Sequence, residues 1–145
     1  QTVDIVFISH TTVGKEVSED DFFKVSTWGG TNISSGLLKA EEIVAERYNT
    51  SSWNLYTFHC SDGENWSEDN EKALNSMERL IAISQLAGYI QVTPDTDNMW
   101  GEEMAKEVGV LESDKFKVCK IKSKQDVWPE FSKLFGGVYK IEGVL

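Results

Sequence analysis

Trp53-Asn54-Leu55-Tyr56-Thr57-Phe58-His59-Cys60-Ser61-Asp62-Gly63-Glu64-Asn65 is the stretch on which the fold turns. Its first eight residues are rich in aromatic side chains and predict a strand over 53–60. Ser61-Asp62-Gly63 then changes the chemistry, because short polar side chains bond nearby backbone and glycine turns freely. Beyond the turn, Leu74, Met77, Leu80 and Ile81 recur at helical spacing and predict a helix over 69–86 with those residues inward. Upstream, Ile33, Leu37, Ala40, Val44 and Tyr48 repeat in the same way, with Glu41, Glu42 and Glu46 on other faces, until Asn49-Thr50-Ser51-Ser52 stops the helix. The quoted stretch is therefore a strand between two helices.

The pattern extends both ways. Gly88-Tyr89-Ile90-Gln91-Val92 reads as the next strand, stopped by Pro94. A helix over Met99–Val108, a strand over Phe116–Ile121 and a helix over Gln125–Phe135 follow, with Pro129 tolerated in the first turn. At the front, Val3–Ile8 predicts a buried strand, Val13–Val17 a short second one, and Ser18–Phe23 a capped helical turn. The segment Gly136–Leu145 reads as an added strand or a loose end. Strands alternating with helices imply an α/β fold of three layers: a mostly parallel sheet with helices on both faces. At 145 residues the chain is the size of one domain, 1–145.

Composition narrows the function classes. Fourteen basic against 24 acidic residues give a net charge of −10, which repels phosphate backbones and anionic lipid. Nucleic acid and membrane are thus poor partners, and no apolar run approaches the ~18 residues of a spanning helix. A cytoplasmic protein is expected. Residues 114–140 reverse the sign, with seven Lys against three acids. Lysines there suit a sheet edge, where they discourage pairing with another chain; the other reading is a docking face. Cys60 and Cys119 fit no disulfide framework or zinc spacing and read as small buried residues.

Ligands of open α/β sheets bind outside the carboxyl ends of the strands. Two loops are expected there: Gly29-Gly30-Thr31-Asn32-Ile33-Ser34-Ser35-Gly36, opening a helix, and Ser61-Asp62-Gly63. A Thr31 hydroxyl and an Asp62 carboxylate are hard oxygens suited to Mg²⁺. A glycine loop ahead of a helix can instead hold an anion, although this one lacks the phosphate-loop lysine and is not GxGxxG. Other structural roles are open. Asp62 can close an Asx turn on the Gly63–Glu64 backbone, Thr31 can cap the helix that follows, and Ser34 and Ser35 can be first-turn residues. Glu64, Glu68, Asp69 and Glu71 flank Asp62 and can attract a cation or a basic partner; the other reading is a solvated acidic run at a helix start, where acids suit the dipole. His10 follows the first strand and can sit near the site mouth, although a surface or satisfied histidine is the commoner outcome, while His59 and Cys60 point to opposite faces and make no nucleophilic pair. Trp53, Trp66 and Trp100 can line an interface, but more often such residues are core or partly buried.

Together these residues resemble a von Willebrand factor A-type domain. The run from Gly29 to Leu37 resembles the threonine loop of its metal-ion-dependent adhesion site, and Cys60-Ser61-Asp62-Gly63-Glu64 resembles the aspartate loop. A closer similarity covers most of the chain. Lys15-Glu16-Val17, Asp21-Phe22-Phe23, Gly29-Gly30-Thr31, Ser34-Ser35, Glu46-Arg47-Tyr48-Asn49, Trp53-Asn54-Leu55-Tyr56 and Ser61-Asp62-Gly63-Glu64-Asn65-Trp66 are similar to the bacterial YeaH/YhbH family. Its members are described as stress-response or sporulation proteins of unknown biochemical activity, encoded beside a PrkA-type serine protein kinase.

The resemblance implies a non-enzymatic protein-interaction and regulatory module. Thr31 and Asp62 would be metal residues for Mg²⁺ or Mn²⁺ in the intact protein, with Gly29, Gly30, Asn32, Ser34, Ser61, Gly63 and Glu64 shaping the binding loops. The partner would be a protein, with the PrkA-type kinase as the candidate. One departure is plain: the Asp-x-Ser-x-Ser loop that completes such a site is absent. The chain then corresponds to the C-terminal part of a domain truncated at its N-terminal strand, expected to hold no metal alone and to offer strand edges for a homodimer. The rival reading is a Mg-dependent phosphoryl-transfer or hydrolytic enzyme using the same sheet edge, but no Lys or Arg lies near Thr31, and no nucleophile, base and orienter assemble from the residues present. A metal-free scaffold is the third.

Overall fold

The computed structural model describes residues 2–24, 31–93 and 102–136. Contacts divide the chain into two compact units, Gln1–Asn54 with Asn65–Ala82, and Leu55–Glu64 with Ile83–Leu145.

The first unit is a hairpin with helices. Strands β1 (Phe7–His10) and β2 (Gly14–Val17) pair antiparallel, from Phe7 opposite Val17 to His10 opposite Gly14. Helix α1 (Glu19–Lys24) follows, and the Ser18 hydroxyl accepts the Asp21 backbone N–H at 3.1 Å, the capped turn expected from sequence. The predicted strand at 3–8 shifts: pairing begins at Phe7, and Val3 and Ile5 stay exposed. Strand propensity there finds no opposing backbone among the described residues, and unpaired strand is not stable.

Helix α2 (Ile33–Arg47) lies against the hairpin so closely that a Cβ on Gly14 would come 2.2 Å from the Ser35 carbonyl oxygen. Ile33, Leu37 and Ile43 are buried, while Ala40 and Val44 are half-buried. Tyr48 falls just past the helix; its ring meets Trp53 edge-on at 5.2 Å and its hydroxyl donates to Asp4. Helix α3 (Asn70–Ile83) buries Ala73, Ser76, Met77 and Leu80, with Leu74 and Ile81 only half-buried. Arg79 forks onto both Glu41 oxygens at 2.8 and 2.9 Å, and the Ser76 hydroxyl donates to the same carboxylate, tying α3 to α2.

The second unit is a three-stranded parallel sheet flanked by helices. Its order is β3 (Leu55–Ser61), β4 (Ser84–Val92) and β5 (Phe116–Ile121), as strand–helix–strand alternation requires. Strand β4 starts four residues earlier than its predicted bound at 88, and the helix predicted to 86 stops at 83. No proline or glycine stops the helix between Leu80 and Leu86, yet pairing of Ser84–Gln91 along β3 takes precedence over that local pattern. The core is made by Leu86, Ala87, Tyr89, Phe116, Val118 and Cys119, with Met104, Ala105 and Val108 of α4 (Glu102–Gly109) and Leu134 of α5 (Val127–Phe135). Gly88 is where α5 approaches: a Cβ there would lie 2.7 Å from Leu134. The predicted residues Pro94, Met99 and Trp100, and the tail beyond Gly136, lie outside the described residues.

Strand β5 is one edge of the described sheet, and side chains occupy its outer backbone groups. The Val118 N–H donates to Glu112 at 3.0 Å, the Lys120 N–H to Glu130 at 3.1 Å, and Lys133 Nζ donates to the Val118 carbonyl at 2.8 Å. The lysine-rich segment is thus sheet edge, blunted against further pairing. Cys119 is buried under α5, as expected. Cys60 is exposed, against expectation, because it shares the face of β3 that leaves Tyr56 and Phe58 exposed.

Candidate functional site

The aspartate loop grows from the carboxyl end of β3. Gly63 has φ 93°, a left-handed conformation that favours glycine. That bend lets two backbone amides turn back on the side chains two residues before them. The Gly63 N–H donates to Ser61 Oγ and the Glu64 N–H to Asp62 Oδ1, each at 3.0 Å. The Asx turn allowed by the sequence therefore forms. Asp62 and Glu64 are exposed, while Gly63 is buried. Beneath the loop, Tyr89 of β4 is fully buried, with the His59 ring 5.5 Å away. Burial pushes the Tyr89 phenol up to about 12; the Asp62 charge adds to this, and the neighbouring Ser61 side chain acts the other way.

The threonine loop is built differently. Gly29 and Gly30 lie outside the described residues. Thr31 is half-buried, and its carbonyl accepts the Trp66 N–H at 3.4 Å. Asn32, not Thr31, occupies the N-cap of α2, and its side chain makes no capping bond; its own N–H donates to the Thr11 carbonyl at 2.9 Å. The first amides of α2 find their acceptors elsewhere in the chain. The Ile33 N–H donates to Asn65 Oδ1 at 2.8 Å and the Ser34 N–H to Asp69 Oδ2 at 2.9 Å. The Ser34 hydroxyl donates to the other Asp69 oxygen, and Asn65 Nδ2 donates to Asn70 Oδ1 at 2.8 Å. An amide at a helix start has no partner within the helix, so a carboxylate and a carboxamide there satisfy both the hydrogen bonds and the dipole.

Two expectations change here. Asp69, read as part of a solvated acidic run, is 8% exposed with both carboxylate oxygens bonded to Ser34. Thr31 is not the capping side chain. Ser34 and Ser35 are first-turn residues as expected; the Ser34 hydroxyl is buried on Asp69, and the Ser35 hydroxyl bonds the Thr11 and Asn32 carbonyls. His10 packs on α2, where a Cβ at Gly36 would lie 2.8 Å from its ring. Trp66 is 52% exposed. Asn65 and Asp69 act as helix caps that sequence does not reveal, because no local pattern marks a cap 32 and 35 residues from the amide it accepts. Thr31 lies in the first unit and Asp62 in the second, and each loop is fixed within its own unit.

Among the described residues, no group of three or more His, Cys, Asp and Glu side chains is gathered as a metal cage. No helix among them is long and apolar enough to cross a membrane.

The fold and loops define a parallel α/β protein with an exposed carboxylate at a strand's carboxyl end. Residues 1–137 match the family described as "Protein of unknown function (DUF444)". Similar chains include UPF0229 proteins of Ruminiclostridium cellulolyticum (46% identical over 132 residues, 91% of this chain and 33% of that protein), of Clostridium perfringens (42% over 127 residues, 84% and 31%) and of Chromohalobacter salexigens (38% over 136 residues, 93% and 32%). The chain belongs to this family, DUF444 or UPF0229, the group that contains the YeaH/YhbH proteins. It spans about a third of the length of these curated relatives. No solved structure matches it.

Proposed function

We propose that this chain is a binding and regulatory module, not an enzyme, and forms the C-terminal part of a von Willebrand factor A-like domain in a cytoplasmic bacterial stress-response or sporulation protein. The observation that carries the reading is Asp62, an exposed carboxylate at the carboxyl end of a parallel strand, on a turn that its own backbone holds. That is where open α/β sheets present ligand groups. In the intact protein, Asp62 donates a carboxylate oxygen to Mg²⁺ or Mn²⁺. The resemblance gives Thr31 the hydroxyl oxygen and an upstream Asp-x-Ser-x-Ser loop the remaining protein ligands. Cations of this kind keep open positions or waters when the protein supplies few oxygens. A carboxylate from a partner protein, with the PrkA-type kinase as the candidate, takes that open position.

Calorimetric titration of the full-length protein with Mn²⁺ tests this. Saturable binding that Asp62→Ala removes is the expected result. No binding by the unmutated protein, or undiminished binding by Asp62→Ala, overturns it.

A further inference from the structure

We propose that Asn65, Trp66 and Asp69 are positioning residues for Thr31, holding the start of α2 by hydrogen bonds that span 32 to 35 positions of the chain. The inference rests on Thr31 being a cation donor, as proposed above. From the Thr31 carbonyl onward, the backbone groups that the first turn leaves over are taken. The Thr31 carbonyl holds Trp66, the Asn32 amide holds Thr11, and the amides of Ile33 and Ser34 hold Asn65 and Asp69. With the peptides on its C-terminal side anchored, the Thr31 side chain leaves the backbone from a fixed point. A ligand group must be held within about 0.5 Å of its productive place to be effective.

Asp69 is unsuited to ligate. It is buried, and both of its oxygens already accept from Ser34. Its work is one step removed, like the outer groups that orient a metal ligand without touching the metal. The clamp also begins three residues after Asp62 in sequence. One short stretch of chain therefore carries one donor and fixes the backbone of the other.

The test compares Asp69→Ala, Asp69→Asn and Asn65→Ala in the full-length protein, reading amide exchange over residues 31–38 and Mn²⁺ affinity. Asp69→Ala is expected to speed exchange of those amides roughly tenfold while leaving 84–92 protected, and to weaken Mn²⁺ binding about tenfold or more. Asp69→Asn, which keeps an acceptor for the Ser34 amide, should recover much of both losses, and Asn65→Ala should show a milder form of each. Glu41→Gln serves as a control. It cuts the Arg79 tie between α2 and α3, lowers the melting temperature, and should leave both readouts unmoved. Unchanged exchange over 31–38 in Asp69→Ala overturns the clamp; faster exchange with unchanged Mn²⁺ affinity overturns its positioning role. If the unmutated protein binds no Mn²⁺, the cation reading fails, and exchange alone decides whether the clamp exists.

Discussion

The aspartate loop and the described end of the threonine loop both adjoin a regular element, yet different parts of the chain hold them. At Asp62 the bonds that close the turn are local: Ser61 and Asp62 accept the amides two residues on, and Gly63 makes the bend. At Thr31 the acceptors for α2 come from Asn65 and Asp69, more than thirty residues away. A locally closed turn survives changes elsewhere in the molecule. A turn closed from a distance is only as ordered as the segment that closes it. The same contrast separates an exposed carboxylate, Asp62, from a buried one already in use, Asp69.

Removing the distant acceptor is the strongest way to break the comparison. Asp69→Ala leaves the Ser34 amide and hydroxyl buried without their partner, and should cost about 3 kcal/mol in urea unfolding. A loss no larger than that of Asp62→Ala would erase the distinction between the loops. Next comes alkaline pH, which acts under the aspartate loop. Tyr89 is held near 12 in the folded state, above its ordinary 10, so its contribution is whole below pH 10 and is lost as pH rises toward 12. That shift corresponds to at most about 2–3 kcal/mol. Urea midpoints taken across this range should fall, and Tyr89→Phe should flatten the fall. Gly63→Ala strains a backbone at φ 93° and should cost about 1 kcal/mol without altering exchange over 31–38. Asp62→Ala should change stability by no more than about 0.5 kcal/mol, because the side chain is exposed and one turn bond is lost.

Much of this contrast was legible in the sequence on one side and hidden on the other. Ser61-Asp62-Gly63 announces its own turn, since each bond joins near neighbours. The parallel sheet was likewise readable, because β3, β4 and β5 each carry an apolar run next to a helical pattern. The Asp69 clamp carried no such sign. Among Glu64, Glu68 and Glu71 it looks like any acid ahead of a helix, and only the approach of α2 buries it. The boundary at 83–84 misled for a related reason. No proline or glycine marks a stop between Leu80 and Leu86, and the pairing of Ser84 with Leu55 decides where helix yields to strand. Cys60 looked like Cys119 in a strand, but the position of α5 separates them. In each case the deciding contact lies far off in the chain.

Mn²⁺ titrated into the isotope-labelled full-length protein tests the central claim most directly, through paramagnetic broadening of amide signals. The account predicts that at substoichiometric Mn²⁺ the amides of Asp62, Gly63 and Glu64 are among the first to vanish, and that Asp62→Ala abolishes this. If those three signals persist while others broaden, the exposed carboxylate at the end of β3 is not a cation ligand.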